Sequence, residues 1–131
     1  MGLTTDDQLA IQGLSARYNQ AIDSGDAAAY TDTFVETGVL DAGVLQLEGR
    51  AALGRFAAGF PSSARAPRHV TSNLVIDGDG TEATLDAYVQ MYVLTGEPAT
   101  QVLAASGKYS DRLTKADGTW RFVRRTYTAD S

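Results

Sequence analysis

A change of hydrophobic period near residue 68 constrains this fold more than any other feature of the sequence. Before it, Ile11, Leu14, Tyr18 and Ala21/Ile22 recur at helical spacing. After it the period is two, and His69 to Asp77, Ala83 to Thr95, Gln101 to Thr114 and Thr119 to Thr128 read as four strands. Asp77-Gly78-Asp79-Gly80 and Lys115-Ala116-Asp117-Gly118 supply hairpin turns, and Gly96-Glu97-Pro98 breaks the middle hairpin. Helices followed by a meander of long strands specify an α+β fold.

The helical half divides further. Thr4 or Thr5 caps a helix over Thr5 to Ser24, with Asp6 and Asp7 in its first turn, and Gly25 ends it. Asp26 caps a second helix running through Ala27 to Phe34-Val35. Val39-Leu40-Asp41 and Val44 to Leu47 form two short strands, and Arg50 to Phe60 a third helix with Leu53, Phe56 and Phe60 on its inner side. Pro61 to Pro67 reads as a loop.

With 131 residues the chain makes one domain, spanning 1–131, of a size that buries about two-thirds of its unfolded surface. There is no cysteine, which removes disulfides, thiolate zinc sites and cysteine nucleophiles. The acidic start, Met1 to Asp7, has no signal-peptide character, and no apolar run approaches a membrane span. The expectation is a soluble, cytoplasmic protein. Sixteen acidic against 11 basic residues, net charge −5, disfavour a nucleic-acid partner. One histidine and no Asp-rich loop spacing leave no metal site, and no glycine-rich phosphate motif occurs; no cofactor is expected.

His69 is the one histidine, placed where a loop enters the first long strand. Asp23 ends the first helix, where a carboxylate opposes the helix dipole unless a donor compensates it. It is the candidate partner that orients His69. Tyr18, on the buried stripe, is either a core aromatic or a donor to a substrate oxygen. Asn73 shares a strand face with His69 if the strand is regular. Asp86, Tyr88, Gln90 and Tyr92 share a face that is either pocket wall or dimer surface. Arg124 and Arg125 alternate faces, so at most one looks inward.

Four pieces in order carry a family resemblance: Arg17 to Asp26, Glu48 to Leu53, Arg68 to Asn73 and Asp117 to Phe122. Over nearly its whole length the chain resembles the SnoaL-like branch of the nuclear transport factor 2-like superfamily. That resemblance implies a cone-like α+β barrel, with three N-terminal helices packed on a strongly curved antiparallel sheet that encloses a pocket. It implies a homodimer and a small hydrophobic substrate or ligand. In scytalone dehydratase and bile-acid dehydratase, a catalytic histidine and an aspartate stand where His69 and Asp23 stand. The bile-acid enzyme and ketosteroid isomerase use a tyrosine where Tyr18 stands. The implied activity is a metal-free dehydratase or isomerase using His69, Asp23 and Tyr18, and a late arginine in the bile-acid enzyme makes Arg124 (or Arg125) a candidate for contacting substrate. Asn73, Tyr88 and Tyr92 are substrate-binding candidates by their strand faces alone.

Departures from the relatives matter too. The ketosteroid isomerase base aligns with Ala42, Asp41 lies one residue earlier, and the second acid of its oxyanion hole aligns with Tyr109. Scytalone dehydratase has a second histidine, absent here. A polyketide cyclase and a non-catalytic binding or dimerisation domain are the alternatives.

Overall fold

The structure is a computed structural model that describes residues 2–131. Its elements are α1 (Thr5–Ser24), α2 (Ala27–Asp32), β1 (Phe34–Asp41), β2 (Gln46–Glu48), α3 (Arg50–Ser63), β3 (Arg68–Gly78), β4 (Glu82–Thr95), β5 (Thr100–Ala116) and β6 (Thr119–Ala129). The first helix has the expected bounds. Thr4 caps it reciprocally: its side chain accepts from the Asp7 N–H, and the Asp7 carboxylate accepts from the Thr4 N–H. Gly25 closes it in the left-handed region at φ 73°. A side chain there would also strike Pro61, whose ring carbon lies 2.9 Å from the position of a Cβ.

The same packing explains one difference from the sequence reading. Helix α3 continues through Pro61 to Ser63 instead of stopping at Phe60. Pro61 occupies the last turn and seats its ring against Gly25. Conversely, α2 stops at Asp32, short of the expected Phe34-Val35. Phe34 instead opens β1, because it pairs with Phe122 and the Phe122 N–H donates to the Thr33 carbonyl at 2.8 Å. Tertiary pairing overrides the local helical pattern there.

The six strands run in the order β2-β1-β6-β5-β4-β3. All neighbours are antiparallel except β1 and β6, which are parallel, so the sheet is mixed and not the purely antiparallel one expected. It is also open, with β2 and β3 at its edges, where the resemblance implies a barrel. Register breaks in β1, β3 and along both β4–β5 and β5–β6 mark bulges. Bulges bend and twist strands, and so curl the sheet into a cone under the helices.

The core follows from strand alternation. Ala83, Leu85, Ala87 and Val89 of β4 and Tyr109 and Leu113 of β5 are buried on the inner face, against Ile11, Leu14, Tyr18 and Ile22 of α1. Residues between them, such as Asp86 and Tyr88, face out. The buried Asp7 locks helix to sheet by accepting from Trp120 Nε1 and Lys115 Nζ, each at 3.0 Å. Among the described residues no helix is long and apolar enough to cross a membrane.

Candidate active site

Asp23 occupies the last turn of α1, and His69 is the second residue of edge strand β3, which packs beside that helix end. The Asp23 Oδ1 and His69 Nδ1 atoms are 2.6 Å apart. The His69 backbone N–H also donates to both carboxylate oxygens, at 3.2 and 3.0 Å. These donors supply the compensation that a carboxylate at a helix C-terminus requires. A carboxylate only accepts, so Nδ1 carries the hydrogen and Nε2 of the neutral ring keeps its lone pair. Both side chains are 11% exposed, and the His69 ring sits 5.5 Å from that of Phe60.

His69 forms part of the wall of a cavity of about 190 Å³ between α1, α3 and the sheet. Apolar groups dominate it: Ile22, Leu40, Phe56, Phe60, Val89 and Met91. Its other polar side chains are Tyr18, Tyr109 and Tyr127. Tyr18 Oη lies 3.0 Å from Tyr30 Oη. Burial, reinforced by Tyr30, pushes the Tyr18 pKa well above the ordinary tyrosine value, and burial does the same to Tyr109. Both are therefore protonated donors at neutral pH. Tyr127 reaches the cavity across Gly107, where a Cβ would lie 2.7 Å from the Tyr127 ring; its hydroxyl donates to the Ser106 carbonyl at 3.4 Å. A second, larger groove of about 390 Å³, bordered by Arg17, Asp26, Asp32 and Trp120, contains neither His69 nor Asp23.

Of the seven expected site residues, the structure brings three together: Tyr18 and His69 on the cavity wall, and Asp23 behind His69. The other four do not line the cavity. In β3 the register shifts between Ser72 and Val75, with Asn73 at φ 56°. That bulge turns Asn73 outward, while Thr71 still faces α1 and accepts from Asn19 Nδ2 at 2.8 Å. Tyr88 is 47% exposed on the outer face, beside Lys108. Tyr92 is partly buried, but it is the preceding Met91 that reaches the cavity. Arg124 forms an ion pair with Asp41.

Arg125, not Arg124, looks inward. Trp120, Phe122 and Arg125 are all buried, so the parity of β6 changes after Phe122, at the register break opposite Arg112 and Leu113. Arg125 has no exposed surface and holds Asp111 through Nε and Nη2, both at 2.9 Å. Burial opposes its charge, but attraction to Asp111 outweighs that and keeps the guanidinium protonated. Arg125 stood in the sequence only as the alternative to Arg124, because its inward parity is created by the bulge; Asp111 and Tyr30 did not stand out there as site residues. The one-residue offset at β1 holds as expected: Ala42 lines the cavity, and Asp41 turns to Arg124 and the Gly43 N–H. No carboxylate stands at the position of the ketosteroid isomerase base.

Comparison with known proteins gives the family. Residues 4–126 match the SnoaL-like domain. A Mycobacterium tuberculosis protein of unknown function is 32% identical, with a TM-score of 0.86 over 93% of this chain and 70% of that one. A cystatin-like-fold protein of unknown function from Nostoc punctiforme is 29% identical, with a TM-score of 0.88 over 99% of this chain and 96% of that one. A provisionally assigned scytalone dehydratase from Novosphingobium aromaticivorans is 26% identical, with a TM-score of 0.81 over 95% and 84%. No curated protein matches. The chain belongs to the SnoaL-like domain family.

Proposed function

We propose that the protein is a cofactor-independent acid–base lyase or isomerase acting on a small, uncharged carbonyl or hydroxy-carbonyl compound. The observation that carries this reading is the 2.6 Å Asp23–His69 contact on the wall of an apolar cavity. His69 Nε2 takes the proton α to the carbonyl, and the C–H electron pair moves into the enolate. Asp23 stabilises the imidazolium so formed. Tyr18 donates to the carbonyl oxygen as it gains charge. In a dehydration the imidazolium proton passes to the β-hydroxyl, which leaves as water while the C=C bond forms. In an isomerisation it returns to a different carbon. A cavity of about 190 Å³ favours one or two fused rings; an engineered apolar cavity of about 150 Å³ admits benzene.

The test is deuterium exchange at the α-carbon of small cyclic ketones, β-tetralone first, followed by proton NMR. Exchange above the buffer rate that disappears in His69→Ala supports the enzyme. Ketones that bind without exchange identify a non-catalytic binding domain, which the sparse polar lining also suits. A second copy of the chain is the proposed partner, through the outer sheet face that carries the exposed Val70, Val75, Tyr88 and Leu103. Sedimentation at the monomer mass of 13.9 kDa at micromolar concentration contradicts this.

A further inference from the structure

A fully buried ion pair behind the cavity wall has no role in the scheme above. Replacing such a pair with apolar residues of similar volume is commonly neutral or stabilising, so stability alone does not account for it. Its orientation is specific. Arg125 Cζ lies 3.5 Å from the ring centroid of Tyr109 and 4.4 Å from those of Tyr18 and Phe122. Asp111 engages Nε and Nη2, whereas Nη1 has no hydrogen-bond partner among the described residues. The pair thus presents a positive end to the rings of two cavity tyrosines. Arg125 itself does not line the cavity, so it acts through those rings.

We propose that Arg125, held by Asp111, is a positioning residue whose fixed positive end favours negative charge on a ligand oxygen accepting from the Tyr18 hydroxyl. The ligand class that profits is an enolate or phenolate. This deepens the acid–base reading and rests on Tyr18 being the donor to the substrate oxygen. The direction of the field agrees: burial pushes the Tyr18 hydroxyl up, and Arg125 pulls it back down. A dipole fixed in a low-dielectric interior needs no reorganisation when charge develops beside it.

The experiment places difluorotyrosine at position 18 and follows its ionisation by fluorine NMR, with no ligand present. The comparison is between the natural pair and the double variant Arg125→Met/Asp111→Leu, with Arg125→Gln/Asp111→Asn as a second neutral pair should the first not fold. The phenol of either neutral variant is expected to ionise about one pH unit higher, a tenfold difference in acidity. Arg125→Lys keeps the charge and is expected to stay near the natural value. Equal titration in the natural and neutral pairs, or Arg125→Lys behaving like a neutral pair, overturns the proposal. A naphthol as probe separates this from the catalytic reading. If the position-18 shift is present but the bound naphthol has the same pKa in the natural protein and the neutral variant, Tyr18 is not the donor to the ligand oxygen.

Discussion

Asp111→Asn removes a charge from inside the protein while keeping the side chain's shape. In the natural protein Arg125 makes two charge-assisted hydrogen bonds to that carboxylate, both 2.9 Å, at a site with no exposed surface. Among the described residues its third nitrogen has no partner, so none of them supplies another acceptor for the charge. Breaking one side of a buried pair typically costs about 3–5 kcal/mol, because the remaining charge stays desolvated. That is a large share of the roughly 5–15 kcal/mol that holds a domain of this kind together. A fall in Tm of roughly 10–20 °C follows for this chain length. Urea denaturation followed by circular dichroism is the assay, with the full cycle of Asp111→Leu, Arg125→Met and the double variant. The singles are expected to lose stability by similar amounts and the double to recover most of it, to within about 1 kcal/mol of the natural protein. If the double loses the sum of the two singles, the residues contribute through packing and the ion-pair reasoning is refuted.

Asp23→Asn is expected to preserve the fold, because an amide oxygen still accepts from the His69 N–H. It should slow α-proton exchange by roughly 10–100-fold, and a rate equal to the natural protein's would remove Asp23 from the chemistry. Asp7→Asn tests the helix-to-hairpin tie. Trp120 and Lys115 hold the Asp7 carboxyl well below the usual carboxylate range. A depressed folded-state pKa stabilises above the unfolded value of about 3.9, and the contribution is lost as pH falls through the folded one. The variant should therefore be less stable than the natural protein near neutrality, with the gap narrowing in acid; a gap that widens in acid contradicts the assignment. Gly25→Ala forces a Cβ into the left-handed region and against Pro61, and should lower the urea midpoint by the equivalent of about 1 kcal/mol or more. An unchanged midpoint would mean that α1 and α3 readjust freely.

The α+β class and most element positions were legible, because the switch from helical spacing to strict alternation is a local property of the chain. The Asp23–His69 contact and the inward Tyr18 were legible through resemblance, and the helix stripe placed Tyr18. What alternation could not supply was the bulges. Strict alternation along β3 puts Asn73 on the face of His69, and along β6 it puts Arg124 on the face of Phe122. One extra residue in each strand reverses both outcomes, sending Asn73 and Arg124 outward and Arg125 inward. The choice of face for Tyr88 and Tyr92 rests on which side the helices cover, a tertiary fact. The parallel β1–β6 pairing is likewise non-local, joining Phe34 to Phe122.

Nitrogen NMR of the His69 ring at neutral pH tests the central claim most directly, since one histidine gives one unambiguous signal set. The account predicts that the neutral ring carries its hydrogen on Nδ1, bonded to Asp23, with a bare Nε2, and that Asp23→Asn abolishes this preference. A ring protonated on Nε2 in the natural protein, or the same tautomer balance in both proteins, would contradict it. His69 would then have no base to offer the cavity, and the domain would stand as a binder.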